Sequence, residues 1–309
     1  MKNHPSTEKN LSCPVPRRGV HLVSAFHIPK PGEPAIKELC QVVEEDALTI
    51  DIEGIGKYTL MWTPTEKVDG AIGFTDVDGI LGESENPEAL ALAAGFAFTE
   101  GIISGLDDIK TMAVCPDEPE VVQMQLTNPE AAVVRRRDVI ITSSCGICGK
   151  RDIVENNAYG LSNVTDEMRM GSEGFAKLME QMKQGQEIFQ HTGGSHAAAI
   201  FSAEGQIYSV AEDLGRHNAL DKVIGRHLLE NKSFKRCGVL LSSRLSLEMA
   251  VKAVRSGLEV IAAVSAPTSL AIDVAERFGV TLCGFVRGER ATVFTHPHRI
   301  INNLDCIDA

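Results

Sequence analysis

The sequence predicts an α/β protein with a smaller β-rich part on its N-terminal side. Two observations carry this. In the last third, helix-spaced apolar residues alternate with short, nearly continuous apolar runs, the pattern of parallel strands joined by helices and buried on both faces. Before residue 165 the apolar residues instead recur with period two, and glycines fall between the runs, which marks hairpins. A chain of 309 residues with 43% hydrophobic and 23% charged residues suits one large domain or two ordinary ones.

The elements follow in order. Residues 1–38 lack apolar periodicity and contain Pro5, Pro14, Pro16, Pro31 and Pro34, so they are expected to form a flexible arm. Residues 39–165 make the β-rich part. Leu48-Ile50-Ile52 and Tyr58-Leu60-Trp62 alternate around Gly54 and Gly56, a hairpin with a slightly long loop. Asn86 before Pro87 signals an N-cap and first turn for a helix through Leu90, Ala94 and Phe98. A second strand pair is expected near Met112–Val114 and Val121–Leu126, and a run over Asp138–Thr142 leads into a cysteine loop.

Residues 166–309 make the α/β part. Asp166 to Phe189 reads as a polar, Met-rich helical segment, closed by His191-Thr192-Gly193-Gly194-Ser195-His196. Strands are expected over Ala197–Phe201 and Gln206–Val210, across a turn at Glu204-Gly205. Three helix–strand units follow. The helix with Leu220, Val223, Ile224 and Leu228 precedes Val239–Leu241. The helix with Leu247, Ala250, Val251 and Val254 precedes Val260–Val264. The helix with Ala271, Val274, Ala275 and Phe278 precedes Val280–Leu282. Gly257 and Gly279 stand where the last two helices should stop.

The net charge of −12 argues against a general nucleic-acid binder, which carries a basic face. No apolar run approaches the roughly 20 residues that span a bilayer, and Met1 to Arg18 has no secretory core. The protein is expected to be cytoplasmic. Cys13, Cys40, Cys115, Cys237, Cys283 and Cys306 are scattered without disulfide spacing. Cys115, Cys237 and Cys283 adjoin apolar strands and read as small buried hydrophobes.

Cys145 and Cys148 stand apart, in Ser143-Ser144-Cys145-Gly146-Ile147-Cys148-Gly149-Lys150, with Arg135, Arg136, Arg137 and Arg151 nearby. Positive charge favours thiolate, the form that attacks sulfur, binds metal or becomes a persulfide. The loop therefore has several readings: a redox pair, half of a zinc site with His191 and His196, a sulfur carrier made mobile by its glycines, or an inert turn. No second Cys-x-x-Cys exists, and no His-x-Glu precedes the pair as zinc deamination requires.

The remaining polar motifs lie downstream. Glu212-Asp213-Leu214-Gly215-Arg216-His217-Asn218 stands just before a helix, where an anionic ligand fits the free N–H groups; capping by Asp213 or Asn218 is the plainer alternative. Ser242-Ser243-Arg244 and Ser265-Ala266-Pro267-Thr268-Ser269 each sit where a strand ends, the place ligands collect in open α/β sheets. Phe285-Val286-Arg287-Gly288-Glu289-Arg290 follows the third parallel strand, with arginines suited to phosphate or carboxylate.

In order and number these motifs, with Thr295-His296-Pro297 behind them, resemble the formate dehydrogenase accessory sulfurtransferase family, FdhD, over roughly residues 40–302. The resemblance implies a cytidine-deaminase-like mixed sheet with flanking helices. It implies a sulfur carrier that accepts persulfide sulfur from a cysteine desulfurase and passes it to molybdenum bis(molybdopterin guanine dinucleotide) for formate dehydrogenase. Cys145 would carry the persulfide with Cys148 assisting. Phe285, Val286, Arg287, Gly288, Glu289 and Arg290 would bind the cofactor. Gly194, Ser195, His196, Asp213, Arg216, His217, Asn218, Ser242, Ser243, Arg244, Ser265 and Thr268 would shape its guanine-nucleotide pocket. A homodimer is implied as well. Two alternatives stay open: a zinc- or redox-active Cys-x-x-Cys protein, and a molybdopterin chaperone without sulfur transfer.

Overall fold

Two six-stranded sheets with helices packed between them form the centre of the fold, in a computed structural model that describes residues 18–65, 72–75, 79–81, 87–115, 117–131 and 160–301. The Cys145/Cys148 loop, the Asp138–Thr142 run and Asn86 lie outside the described residues.

The first strands depart from expectation. β1 (Val20–His27) and β2 (Ile36–Val43) pair antiparallel, from Val20 opposite Val43 to His27 opposite Ile36. Strand structure thus begins inside the stretch assigned to a flexible arm. Pro31 and Pro34 fall in the connection between the strands, where a missing N–H costs no ladder bond. Phe26, Ile36 and Leu39 remain exposed on this ribbon.

The N-terminal sheet contains β3 (Asp46–Ile52), β4 (Gly56–Trp62), β5 (Ile72–Thr75), β6 (Gly79–Leu81), β7 (Ile109–Cys115) and β8 (Glu118–Leu126), in the order β4-β3-β8-β7-β5-β6. Both expected hairpins are present, β3 with β4 and β7 with β8, while β3 and β8 run parallel. Leu48, Ile50 and Ile52 point into the core, as their spacing dictates.

Helix α1 (Glu88–Thr99) begins directly after Pro87, and every one of its residues is buried. It packs on β7 and β8 and runs along α4 (Arg216–Leu229), which in turn lies on β10 (His196–Ser202) and β11 (Ile207–Asp213). The two helices touch backbone to backbone at Gly95 and Gly225, where an added Cβ would lie 1.9 Å from the Asp221 carbonyl oxygen and 1.7 Å from that of Ala91.

The second sheet has the order β11-β10-β12-β13-β14-β15, with β12 (Cys237–Leu241), β13 (Val260–Ala263), β14 (Thr281–Arg287) and β15 (Arg290–Thr295). β12, β13 and β14 are parallel, as the alternation predicts, while β10, β11 and β15 extend the sheet antiparallel. Helices α4, α5 (Leu247–Arg255) and α6 (Ser269–Phe278) share one core with the N-terminal sheet. On the other face, Phe175, Leu178 and Met182 of α2 (Gly174–Gln184) pack with Ala197, Phe201, Leu240 and Val260. Cover on both faces is why these strands are apolar throughout.

The segment from Asp166 to Phe189 is not one helix. It comprises the short strand β9 (Met170–Gly171), then α2, then α3 (Glu187–Thr192). Its beginning is held extended by the buried Glu259 carboxylate, which accepts from the Thr165 hydroxyl at 2.7 Å and from the N–H groups of Glu167 and Met168 at 2.8 and 2.9 Å. Arg299 Nε reaches the same carboxylate at 3.3 Å. These donors outweigh burial and hold the Glu259 pKa below the ordinary glutamate value.

Candidate functional site

The topology brings the downstream motifs to one edge of the second sheet. β11, β12, β13 and β14 end there, and the antiparallel β10 and β15 begin there. In such sheets this carboxyl edge is where ligands collect.

Neighbouring loops are tied across the edge by backbone bonds. Ser242 N–H donates to Ala197 O at 3.0 Å, Leu245 N–H to Ala266 O at 3.1 Å, Thr268 N–H to Leu245 O at 2.9 Å and Phe285 N–H to Ser265 O at 3.2 Å. Ser242 Oγ accepts the Ala197 N–H at 2.8 Å, and the Ser243 hydroxyl donates to Arg244 O at 3.0 Å. Thr268 is the N-cap of α6, its hydroxyl accepting from Ala271 N–H, so capping accounts for that residue.

The Thr192–His196 turn and the Glu212–Asn218 segment form one unit. Glu212 accepts the Ile188 and Phe189 N–H groups at 2.7 and 2.8 Å, capping α3 from outside it, and takes the Ser195 hydroxyl at 2.7 Å. Gly193 closes α3 in a left-handed conformation with φ 65°. A Cβ on Gly194 would come within 2.8 Å of Val43, so the root of the β1–β2 ribbon rests on this turn.

Asp213 is fully buried and both of its oxygens are occupied. One accepts Gly215 N–H at 2.8 Å and the Asn218 amide at 3.0 Å; the other accepts Thr63 N–H at 3.0 Å and pairs with Lys222 Nζ at 2.8 Å. Lys222 also meets Glu88 at 3.1 Å and the carbonyls of Thr63 and Glu212 at 2.8 and 3.0 Å. Burial pushes the lysine pKa down, but Asp213 and Glu88 together raise it above the ordinary value. Lys222, Glu88 and Thr63, which lie beneath the edge, are absent from the sequence-derived site, whereas Glu212 falls within its Glu212–Asn218 segment. The available signal was an Asp-Lys pair, Asp221-Lys222, set between the apolar residues Leu220 and Val223.

Facing the edge are His196, Arg216, His217 and Arg244. Burial first, then Arg216, Arg244 and His217, push the His196 pKa below the ordinary histidine value against the opposing pull of Asp213, which favours the uncharged imidazole. His217 Nε2 lies 2.9 Å from a Glu248 carboxylate oxygen without hydrogen-bond alignment. Arg216 Nε is buried with no hydrogen-bond partner among the described residues.

The Phe285–Arg290 hexapeptide spans the end of β14 and the turn into β15, with Arg287 opposite Arg290. Phe285 holds φ 54° and is half exposed, an unusual backbone state for a bulky residue. Arg287 donates to the carbonyl of Val264, and the Val286 side chain is buried in the core.

All the predicted downstream segments therefore converge. Arg216, Arg244, Arg287 and Arg290 collect positive charge at one edge of a chain of net charge −12, together with the positive end of α4. That combination suits a polyanion. The side chains of Ser195, Asp213, Asn218, Ser242 and Val286 are instead engaged within the protein. Among the described residues no group of three or more His, Cys, Asp or Glu side chains is placed to hold a metal, and no helix is long and apolar enough to cross a membrane.

Known proteins resemble this chain over most of its length. The chain is 40% identical over 211 residues to a sulfur carrier protein FdhD from Sulfurisphaera tokodaii, covering 68% of this chain and 79% of that one. It is 38% identical over 262 residues to one from Streptomyces avermitilis, covering 84% and 88%. A solved structure from Desulfotalea psychrophila, assigned as a formate dehydrogenase accessory protein, superposes with a TM-score of 0.69 at 22% identity, covering 93% of this chain and all of that one; at that identity it speaks for the fold alone. The FdhD/NarQ family model matches residues 84–301, from the start of α1 through the whole polar edge to the end of the second sheet. The chain belongs to the FdhD/NarQ family.

Proposed function

We propose that the chain is a sulfur carrier serving formate dehydrogenase. It accepts persulfide sulfur from a cysteine desulfurase and transfers it to molybdenum bis(molybdopterin guanine dinucleotide), held as substrate at the carboxyl edge of the second sheet. The supporting observation is the gathering of Arg216, Arg244, Arg287 and Arg290 around that edge, in a chain whose relatives are named sulfur carriers. On this reading the second sheet and its helices have a cytidine-deaminase-like arrangement, and the protein acts in the cytoplasm as a homodimer.

The chemistry belongs to Cys145 and Cys148. The Cys145 thiolate attacks the outer sulfur of the donor persulfide; a new S–S bond forms, the donor S–S bond breaks and the donor leaves as thiolate. Cys148 thiolate then attacks the inner sulfur of Cys145-S-SH and expels hydrosulfide beside the molybdenum, leaving a Cys145–Cys148 disulfide. A cellular thiol reductant restores the pair for the next round. Arg287 and Arg290 grip the cofactor's phosphates, and the loops at 192–196, 212–218, 242–244 and 265–269 enclose its guanine.

Mass spectrometry after incubation with a desulfurase and cysteine tests the first step. A gain of about 32 Da on the Cys145 peptide, absent from Cys145→Ala, is the expected result. Full formate dehydrogenase activity in cells carrying only Cys145→Ala would overturn the assignment.

A further inference from the structure

We infer that Lys222 is a positioning residue for ligand capture: buried beneath the edge, it fixes the Asp213 carboxylate that sets the first turn of α4, and with it Arg216 and His217. The inference rests on the guanine-nucleotide reading of that edge.

The cluster is an expensive arrangement if its only role is stability. It buries two carboxylates and one ammonium, and an apolar cluster of the same volume would hold the fold as well or better. What the ions add is geometry. Gly215, the N-cap of α4, has no side chain with which to cap it. Asp213 takes over, holding Gly215 N–H and the Asn218 amide with one oxygen and Thr63 N–H with the other. Asn218 in turn donates to Met61 O at 2.7 Å, and Leu214 N–H to Thr63 Oγ1 at 3.1 Å. The helix start is therefore tied to the end of β4, with the Asp213 carboxylate at the centre of the bonds, and Lys222 is the cation that holds that carboxylate in place. Glu88 engages the same ammonium from the start of α1, and its other oxygen accepts Thr65 N–H at 2.9 Å.

The arrangement carries its own reporter. Trp62 is the single tryptophan of the chain, and Lys222 Nζ sits 5.0 Å from the centre of its ring. A ligand that tightens the α4 start alters the field on that ring through Asp213 and Lys222.

The test titrates the full chain with GDP, followed by calorimetry and by Trp62 emission, in wild type, Lys222→Met, Asp213→Asn and Glu88→Gln. Asparagine can accept on one oxygen only, so Asp213→Asn orphans two of the four donors while preserving shape. Lys222→Met and Asp213→Asn are expected to bind GDP at least about ten-fold more weakly and to lose the GDP-induced emission change. Glu88→Gln is expected to melt lower yet keep its affinity within about two-fold. If Lys222→Met does not fold, the contrast between Asp213→Asn and Glu88→Gln decides. Wild-type affinity in folded Lys222→Met or Asp213→Asn overturns the inference, as does equal weakening in all three variants. A wild type that does not bind GDP overturns the nucleotide reading itself and this inference with it.

Discussion

Replacing Gly225 with alanine puts the contact between α1 and α4 under direct test. The new Cβ would lie 1.7 Å from Ala91 O and 2.7 Å from Gly95 N. Both are backbone atoms, so no rotamer change can make room. Ordinary contact needs roughly 3.4 Å, so the helices must separate by about 1.7 Å. α1 is buried along its whole length, and the separation would loosen packing on both of its sides. Overpacking typically costs about 1–3 kcal/mol and exceeds that where only backbone can give way, so about 3–4 kcal/mol is expected here. Alanine's helix propensity returns about 1 kcal/mol. The net loss is about 2–3 kcal/mol, a fall in Tm of roughly 5–10 °C for a domain of this size. Thermal melts and urea titrations of Gly225→Ala and Gly95→Ala, alone and combined, measure it. The double variant should lose less than the sum, because helices already parted admit the second methyl at lower cost. Gly105, extended and with nothing within 4 Å of its would-be Cβ, is the control. Stability of Gly225→Ala within about 0.5 kcal/mol of wild type would refute the close-contact argument.

Glu259 links stability to pH. Its folded pKa is depressed, so its contribution is complete above the ordinary glutamate value and is lost as pH falls through the folded value. Glu259→Gln should cost about 3 kcal/mol at pH 7 by leaving Arg299 and the buried N–H donors underserved, and urea midpoints of wild type and variant should converge on acidification below the glutamate range. A gap between the two that does not narrow at all as pH falls below the ordinary glutamate value would count against the carboxylate's role. Burial pushes the thiols of Cys237 and Cys283 up to about 11 and about 12. Iodoacetamide at pH 8 should therefore leave both unmodified in the native chain and label both in guanidinium; rapid native labelling of either would contradict the buried assignment.

Much of the architecture was legible in the sequence because its signals were periodic. The β3–β4 hairpin, the parallel strands and α4, α5 and α6 all follow from apolar spacing and glycine stops. The β1–β2 ribbon was not, because a strand pair exposed on both faces shows no alternation of apolar and polar residues. The division of 166–189 was missed because its cause is remote: Glu259, some ninety residues onward, holds the start extended. At the site, the sequence located the segments but not the direction of each side chain. Ser195, Asp213 and Asn218 belong to the polar edge by position, yet their side chains turn inward to hydrogen-bond partners. Lys222 reads as a surface lysine, and only the fold places Asp213 and Glu88 against it.

The bonds that run loop to loop along the carboxyl edge, Ala197 to Ser242, Leu245 to Ala266 and Thr268, and Ser265 to Phe285, have a thermodynamic consequence. Each loop is immobilised by its neighbour before any ligand arrives, so capture here forfeits little conformational entropy. Affinity at such a rim is set by how well charge and shape match, and a ligand of the wrong outline is rejected by a surface that will not remould around it.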